Sequence, residues 1–544
     1  MILATAALLR LFGLSRGDTI NDEVFMSFRG LGMIDFDAAK VQITPLEWND
    51  PDSPWWLKLS FHDHPLLVPY TQHVFMKLFG ENNFAFRLPS ALLGIISVYL
   101  LYLIGVRLYS QNAGLLGAAF LGITLNGIYI SRTGLQEAYV IFFLLLASYL
   151  FLKALEEPRY LFWAGAAIGL GAEAKYNSLI LIPIFLTYLA LFRRDYFKNK
   201  YFWYGLAVLL LIFSPTIIYN LMLYKTAGHF DFQFSSVFGG RPEAWKIQPG
   251  KEIGSLTDRI QNFIPRLIAS NSWLFLSLAA FSAAAFIVSL FKNFKTALQN
   301  NNFLLLVISY LLLLLLLIGP SYRFLAMLTP FLALSVGLFL SSISEHTNIL
   351  ENVGMRKVAL AALLAVFSFE IFYSYNNQLA FYPIGPAPRL SSKVRFENYN
   401  WGYNALNDWL EKELAGKVPA ITFDLKYQFL EKLREKALAR GQRQGLELEP
   451  ALLVYEGNFD GGARLWVLDR LHFYHAWPII SLETYYQYLQ ENGFDYYDRV
   501  GFKNYYFILQ TNVVPSAATR VLMRGTPLGI YNQRGDKAFE IYKF

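Results

Sequence analysis

Up to about position 375 the chain alternates long apolar runs with short polar connections, and beyond that point the long runs stop. A helix needs roughly 20 apolar residues to cross a bilayer core of about 30 Å. Lipid offers no partner to an unpaired backbone group, so runs of this length are predicted to be helical. They fall near 1–14, 90–106, 113–130, 138–153, 160–174, 177–192, 202–220, 272–291, 302–318, 323–342 and 357–375, about eleven spans. The first is short, contains Arg10 and resembles the second half of a helix, which points to a start upstream of Met1. It lacks the small-residue cleavage site of a removable signal peptide. After 375 the pattern turns to short apolar segments between amphipathic ones. Segments 419–423, 451–455, 465–468 and 505–509 read as strands, and 425–440 and 482–492 as helices. The organisation expected is therefore a polytopic α-helical membrane domain, 1–375, and an α/β domain, 376–544.

Composition agrees: 55% of the residues are hydrophobic and 16% charged, against about 25% charged in soluble proteins. Orientation follows from basic residues in short loops. Arg193, Arg194, Lys198 and Lys200 lie in one such loop, Lys292 and Lys295 in a second, Lys153 with Arg159 in a third, and Arg356 with Lys357 in a fourth. With eleven spans all four fall on one face, expected to be cytoplasmic together with the N-terminus. The opposite, extracytoplasmic face then receives loops 15–88, 131–137 and 221–271 and the C-terminal domain. The net charge of +7 has no basic tract interleaved with aromatics, so nucleic acid is not an expected partner. The chain has no cysteine, which excludes disulfides and thiolate chemistry.

The unusual chemistry gathers on the outer face. Asp22 and Glu23 follow the first span, in Gly17-Asp18-Thr19-Ile20-Asn21-Asp22-Glu23. Adjacent carboxylates there suit a general base, a metal ligand or a sugar-hydroxyl acceptor, and equally a helix start. Glu137 stands at the outer mouth of the fourth span near Arg132, where an ionised group is either functional or an interfacial charge reaching water. His62-Asp63-His64 could hold a divalent metal or simply shape a polar turn; no metal is predicted. Arg87, Arg132, Lys175 and Arg323 are basic on a face that should be poor in basic residues. Snorkelling explains such side chains one at a time; several beside two acidic motifs suggest an anionic ligand at headgroup level, such as a lipid phosphate.

From Leu9 to about Leu340 these motifs resemble, in order, the polyprenyl-phosphate-sugar-dependent membrane glycosyltransferases of the C superfamily (GT-C). The branch is that of protein O-mannosyltransferases and the lipid A aminoarabinose transferase. The resemblance is carried by Leu9-Arg10-Leu11-Phe12-Gly13-Leu14 leading to Asp22-Glu23, by His64-Pro65-Leu66, and by Phe86-Arg87-Leu88-Pro89. Ser131-Arg132 with Glu137, Ala174-Lys175-Tyr176 and Tyr322-Arg323-Phe324-Leu325 complete it. Two positions depart from the pattern: Leu66 replaces a proline, and Glu137 stands where aspartate is usual. The resemblance implies inverting transfer of a sugar from a polyprenyl-phosphate carrier to a glycan, lipid or protein acceptor outside a plasma membrane, without an essential metal. It implies Asp22 as catalytic base with Glu23 beside it and Glu137 as a positioning acid. Arg87, Lys175 and Arg323 are implied for the phosphate, with His62, His64, Arg132, Tyr176 and Tyr322 lining the substrate site. The rival reading is a multi-pass transporter or lipid flippase. Such proteins usually place broken helices and charges near the bilayer midplane in repeated halves, whereas here the polar residues gather at one face.

Overall fold

Helix ends in this chain are set by local chemistry. Asn82 opens the helix Asn83–Leu108 by accepting from the Ala85 amide at 2.9 Å, and Ser272 opens Trp273–Ile318 by accepting from Phe275 at 3.0 Å. Such caps satisfy amides that have no intrahelical partner. The computed structural model describes residues 1–19, 22–34, 53–240, 254–346, 353–423, 428–456, 459–512 and 514–543. Ile20 and Asn21 of the first acidic motif, and the predicted helix start at 425, lie outside them. The chain divides into two compact units, one of Met1–Leu14, Asp35–Leu46 and Ser53–Phe396, the other of Ser15–Ile34, Glu47–Asp52 and Glu397–Phe544.

The first unit is helical. Among the described residues, six helices are long and apolar enough to cross a membrane: Asn83–Leu108, Glu137–Ala154, Lys200–Ala227, Trp273–Ile318, Tyr322–Ile343 and Val353–Gln378. The pair Gln111–Ile123 and Leu125–Arg132, bent by 58°, makes a seventh if taken as one span. Ile2–Leu11 and Tyr176–Phe192 are shorter apolar helices. The runs 272–291 and 302–318, predicted as separate spans, lie in two helices that meet within Trp273–Ile318 at a kink at Asn293, where φ is −155° and ψ 76°. Helices approach closely where side chains are absent: a Cβ on Gly165 would lie 2.0 Å from the Gly205 carbonyl oxygen, the small-residue contact by which membrane helices pack.

The bend at Thr124 frees carbonyls that a continuous helix would pair. Buried Arg10 takes them up, donating to Gly122 O at 2.8 Å and Leu121 O at 3.1 Å, and also to Ser131 Oγ at 3.2 Å. Irregular backbone at membrane depth persists only when its polar groups are satisfied in this way.

The second unit is α/β. Its five-stranded sheet runs in the order Ile479–Ser481, Ala451–Tyr455, Asn504–Gln510, Lys537–Lys543, Leu528–Tyr531. The first three are mutually parallel and the last two antiparallel. The helix Leu482–Asn492 packs Leu482, Tyr485 and Leu489 into the core on the sheet, with Leu452, Val454 and Phe507. Two expectations are corrected here. The run 465–468 is helical, continuing Gly461–Arg464 into Arg470–His475; a short, wholly buried apolar run looks the same in a strand and in an enclosed helix. The strand expected at 419–423 is Lys417–Pro419, paired in parallel with Glu447–Glu449, while Ile421 and Phe423 pack on the sheet's core.

The helix Asp22–Gly32 also belongs to this unit. Phe28 meets Tyr474 with ring centroids 5.1 Å apart, and Tyr474 Oη donates to Phe28 O at 3.0 Å. Ahead of it, buried Asp18 accepts from the amides of Gly402 at 3.0 Å and Asn404 at 2.9 Å, and from that of Trp401.

Candidate functional site

Glu137 is the first residue of its helix, where the positive end of the helix dipole favours a carboxylate. Lys175 follows the end of Tyr160–Ala174 in an extended conformation, φ −166° and ψ 138°. The two meet as a buried ion pair, Lys175 Nζ donating to Glu137 Oε1 at 2.7 Å. Ser321 caps the short helix Tyr322–Leu325, which carries Arg323 close enough to act electrostatically on Glu137. The Phe324 ring lies 4.7 Å from Lys175 Nζ and 5.5 Å from the Arg323 guanidinium. One carboxylate thus faces two cations across an aromatic surface, and Glu137 Oε2 has no hydrogen-bond partner among the described residues.

Next along the chain, Tyr176 joins a second group. Its hydroxyl donates to Asp231 Oδ2 at 2.5 Å, Asn220 Nδ2 donates to the same oxygen at 3.0 Å, and the Phe234 amide donates to Oδ1 at 2.8 Å. Burial pushes the Asp231 carboxyl above its usual range against these three donors, and nearby Asp63 pushes the same way. The His62 carbonyl accepts from Phe232 N at 2.8 Å, and His64 Nδ1 lies 2.8 Å from Asp63 Oδ2. The His-Asp-His turn therefore packs on the segment carrying Asp231. Among the described residues, no three His, Asp or Glu side chains are placed to hold a metal ion.

Two of the predicted phosphate or substrate cations bond backbone carbonyls. Arg132 donates to the carbonyls of Leu9, Arg10, Phe12 and Gly13 at 2.8–3.2 Å, which caps the end of the first helix. Buried Arg87 donates to Leu14 O at 3.1 Å. Tyr322 offers its carbonyl to Asn126 Nδ2 at 3.3 Å. Asp22, half-buried, and Glu23, buried, form the first turn of the helix Asp22–Gly32 in the other unit. Sequence reasoning passed over Asp231 and Asn220. A lone aspartate in Gly228-His229-Phe230-Asp231-Phe232, among aromatics just past a span, was the available signal. The apolar cavity of about 150 Å³ lined by Phe151, Ile168, Phe185 and Leu209 holds none of these groups.

Residues 63–219 match the family described as dolichyl-phosphate-mannose-protein mannosyltransferase. The fold is that of ArnT from Cupriavidus metallidurans: the apo structure aligns with TM-score 0.52 at 12% identity, covering 100% of this chain and 97% of ArnT. The ArnT structure bound to undecaprenyl phosphate aligns with TM-score 0.50 at 13% identity, over the same shares of both chains. YkcB and YycA of Bacillus subtilis, both carrying mannosyltransferase in their names, are 26% identical over 37% of this chain and 29% identical over 25% of it. The matched stretches span 27% and 21% of those two proteins. The family match over 63–219 includes Glu137, Lys175 and Tyr176 but neither Asp22 nor Arg323.

Proposed function

We propose that this protein moves a sugar, with inversion, from a polyprenyl-phosphate carrier to an acceptor on the outer face of a plasma membrane. The observation that carries the reading is the Glu137–Lys175 pair with Arg323 beside it, in a chain of GT-C fold. In the reaction an acceptor hydroxyl attacks the anomeric carbon and loses its proton to a carboxylate. The bond from that carbon to the phosphate oxygen breaks, and the carrier phosphate leaves with the electron pair. The developing charge on the phosphate needs preorganised cations, a role we assign to Lys175 and Arg323, with Arg87 behind them. Asp22, with Glu23 beside it, is the proposed base, and Glu137 orients Lys175 and the sugar. Binding of undecaprenyl phosphate by ArnT supports a lipid-linked donor of that class. The proposed topology has about eleven crossings, a cytoplasmic N-terminus and the α/β unit outside.

The test is transfer in proteoliposomes from a panel of radiolabelled polyprenyl-phosphate sugars, with cell-envelope extract as the acceptor source. Wild type is expected to release free polyprenyl phosphate and label an acceptor, and Asp22→Asn to lose at least about a hundredfold in rate, the lower range of general-base catalysis. Full activity of Asp22→Asn would remove it as the base. No turnover by folded wild type with any donor would favour lipid transport over group transfer.

A further inference from the structure

The helix Leu256–Ser270 has three differently furnished sides. Ser255 and Asp258 close its start as a capping box, so the helix is locally specified. Leu256, Ile260, Ile264 and Ile268, spaced four apart, are 58%, 55%, 58% and 39% exposed. Residues four apart drift by only about 40° around a helix, so the four form one continuous apolar stripe. A second side, with Thr257, Asp258, Gln261 and Asn262, is exposed and polar. The third faces the protein: Arg259 donates to Leu316 O at 3.2 Å and to Leu317 O, carbonyls in the last turn of Trp273–Ile318 that lack intrahelical partners.

These contacts fix where the apolar stripe sits. Three residues after Ser270 the chain enters the spanning helix at Trp273, itself 45% exposed, the residue type enriched at the membrane–water boundary. Arg259 grips the other end of that same helical hairpin. The amphipathic helix is therefore tied to both ends of a hairpin whose exposed faces carry Leu313 and Leu317, and it packs beside the turn Tyr322–Leu325. We infer that Leu256–Ser270 is an in-plane interfacial helix. Its Leu256–Ile260–Ile264–Ile268 stripe lies among the acyl chains and its polar side faces water, with the Arg323 turn beside it at headgroup depth. The partner is the lipid surface, since a helix with one strongly apolar and one polar exposed side partitions into that boundary. The inference does not depend on the glycosyl-transfer reading.

The chain has no cysteine, so single nitroxide labels can be placed without altering any native site. The experiment compares Ile260→Cys, Ile264→Cys and Gln261→Cys, spin-labelled in phosphatidylcholine–phosphatidylglycerol vesicles, by accessibility to oxygen and to a water-soluble nickel chelate. Labels at 260 and 264 are expected to collide with oxygen at least about three times more than with the chelate, the ratio reversing at 261. Chelate access at all three positions would overturn the inference by placing the helix in water. Immobile labels at 260 and 264, shielded from both reagents, would overturn it by showing the stripe packed on protein. All three substitutions are on exposed positions, and co-elution with wild type in size exclusion confirms the fold of each.

Discussion

Replacing Lys175 by methionine keeps most of the side-chain volume and leaves Glu137 buried with half its pairing gone. At 2.7 Å the gross attraction is about 6 kcal/mol with an effective dielectric constant of about 20. Much of that offsets the desolvation of the two ions, and removing one member of a buried pair typically destabilises by about 3–5 kcal/mol. Arg323 still acts on Glu137 and the helix start still favours its charge, so the lower end applies, about 3 kcal/mol. The double variant Glu137→Gln/Lys175→Met leaves no buried charge behind and should return to within about 1 kcal/mol of wild type, because replacing both partners is often near neutral. Thermal unfolding in detergent, followed by fluorescence of the 11 tryptophans, reads the difference as a drop of roughly 3 °C for the single variant. A single variant melting with wild type would show that the pair contributes nothing net. A double variant as unstable as the single would show that lost packing, and not stranded charge, is the cause. Either result refutes the reasoning. Transfer by the double variant is expected to stay low even when its stability is restored, because Lys175 would be missing from the phosphate.

Arg323→Ala should raise KM for the lipid donor by about tenfold, the loss of roughly one charge-assisted contact, while KM for the acceptor stays put; steady-state assays with each substrate varied in turn separate the two. Arg132→Ala strands the Leu9, Arg10, Phe12 and Gly13 carbonyls and should lower the melting temperature, at about 1–3 kcal/mol per buried group that water does not reach. Arg132→Lys should rescue it only in part, since an ammonium cannot reproduce the planar fork. In the α/β unit, burial lowers the pKa of His472, against Trp477 O and Asp469, which favour its protonation. The unfolded chain then binds a proton that the folded one refuses. Stability should therefore fall as pH drops below about 6.5. His472→Gln should remove that part of the slope in pH-dependent melting curves, leaving the opposite contribution of Asp469, whose carboxyl burial raises.

Lipid imposes one requirement on a spanning segment, and this is why the apolar runs at 90–106, 138–153 and 202–220 were legible and appear inside helices. The same requirement made Glu137, Lys175 and Arg323 legible, because an ionised group near lipid depth must have a reason to be there. What the sequence could not reveal is how much of each cation's hydrogen-bonding capacity the backbone takes. Arg10, Arg132 and Lys175 are alike as basic residues near the outer face, yet they end differently. The bend at Thr124 and the end of Ile2–Leu11 leave carbonyls exposed at low dielectric, and Arg10 and Arg132 are drawn onto them. Lys175 follows a helix end and meets a carboxylate instead. A helix break is invisible in hydropathy, since Leu121, Gly122 and Leu125 are as apolar as their neighbours, so nothing in the sequence tied Arg10 to it. The packing of the helix Asp22–Gly32 was illegible for a related reason: its Phe28 meets Phe473 and Tyr474, some 450 positions away, and contacts at that separation leave no periodic trace. In a chain of this fold, then, the basic residues to test first for phosphate binding are those whose donors are not already taken by carbonyls that a bend or a helix end has freed. By that criterion Lys175, whose ammonium meets the Glu137 carboxylate, comes ahead of Arg132.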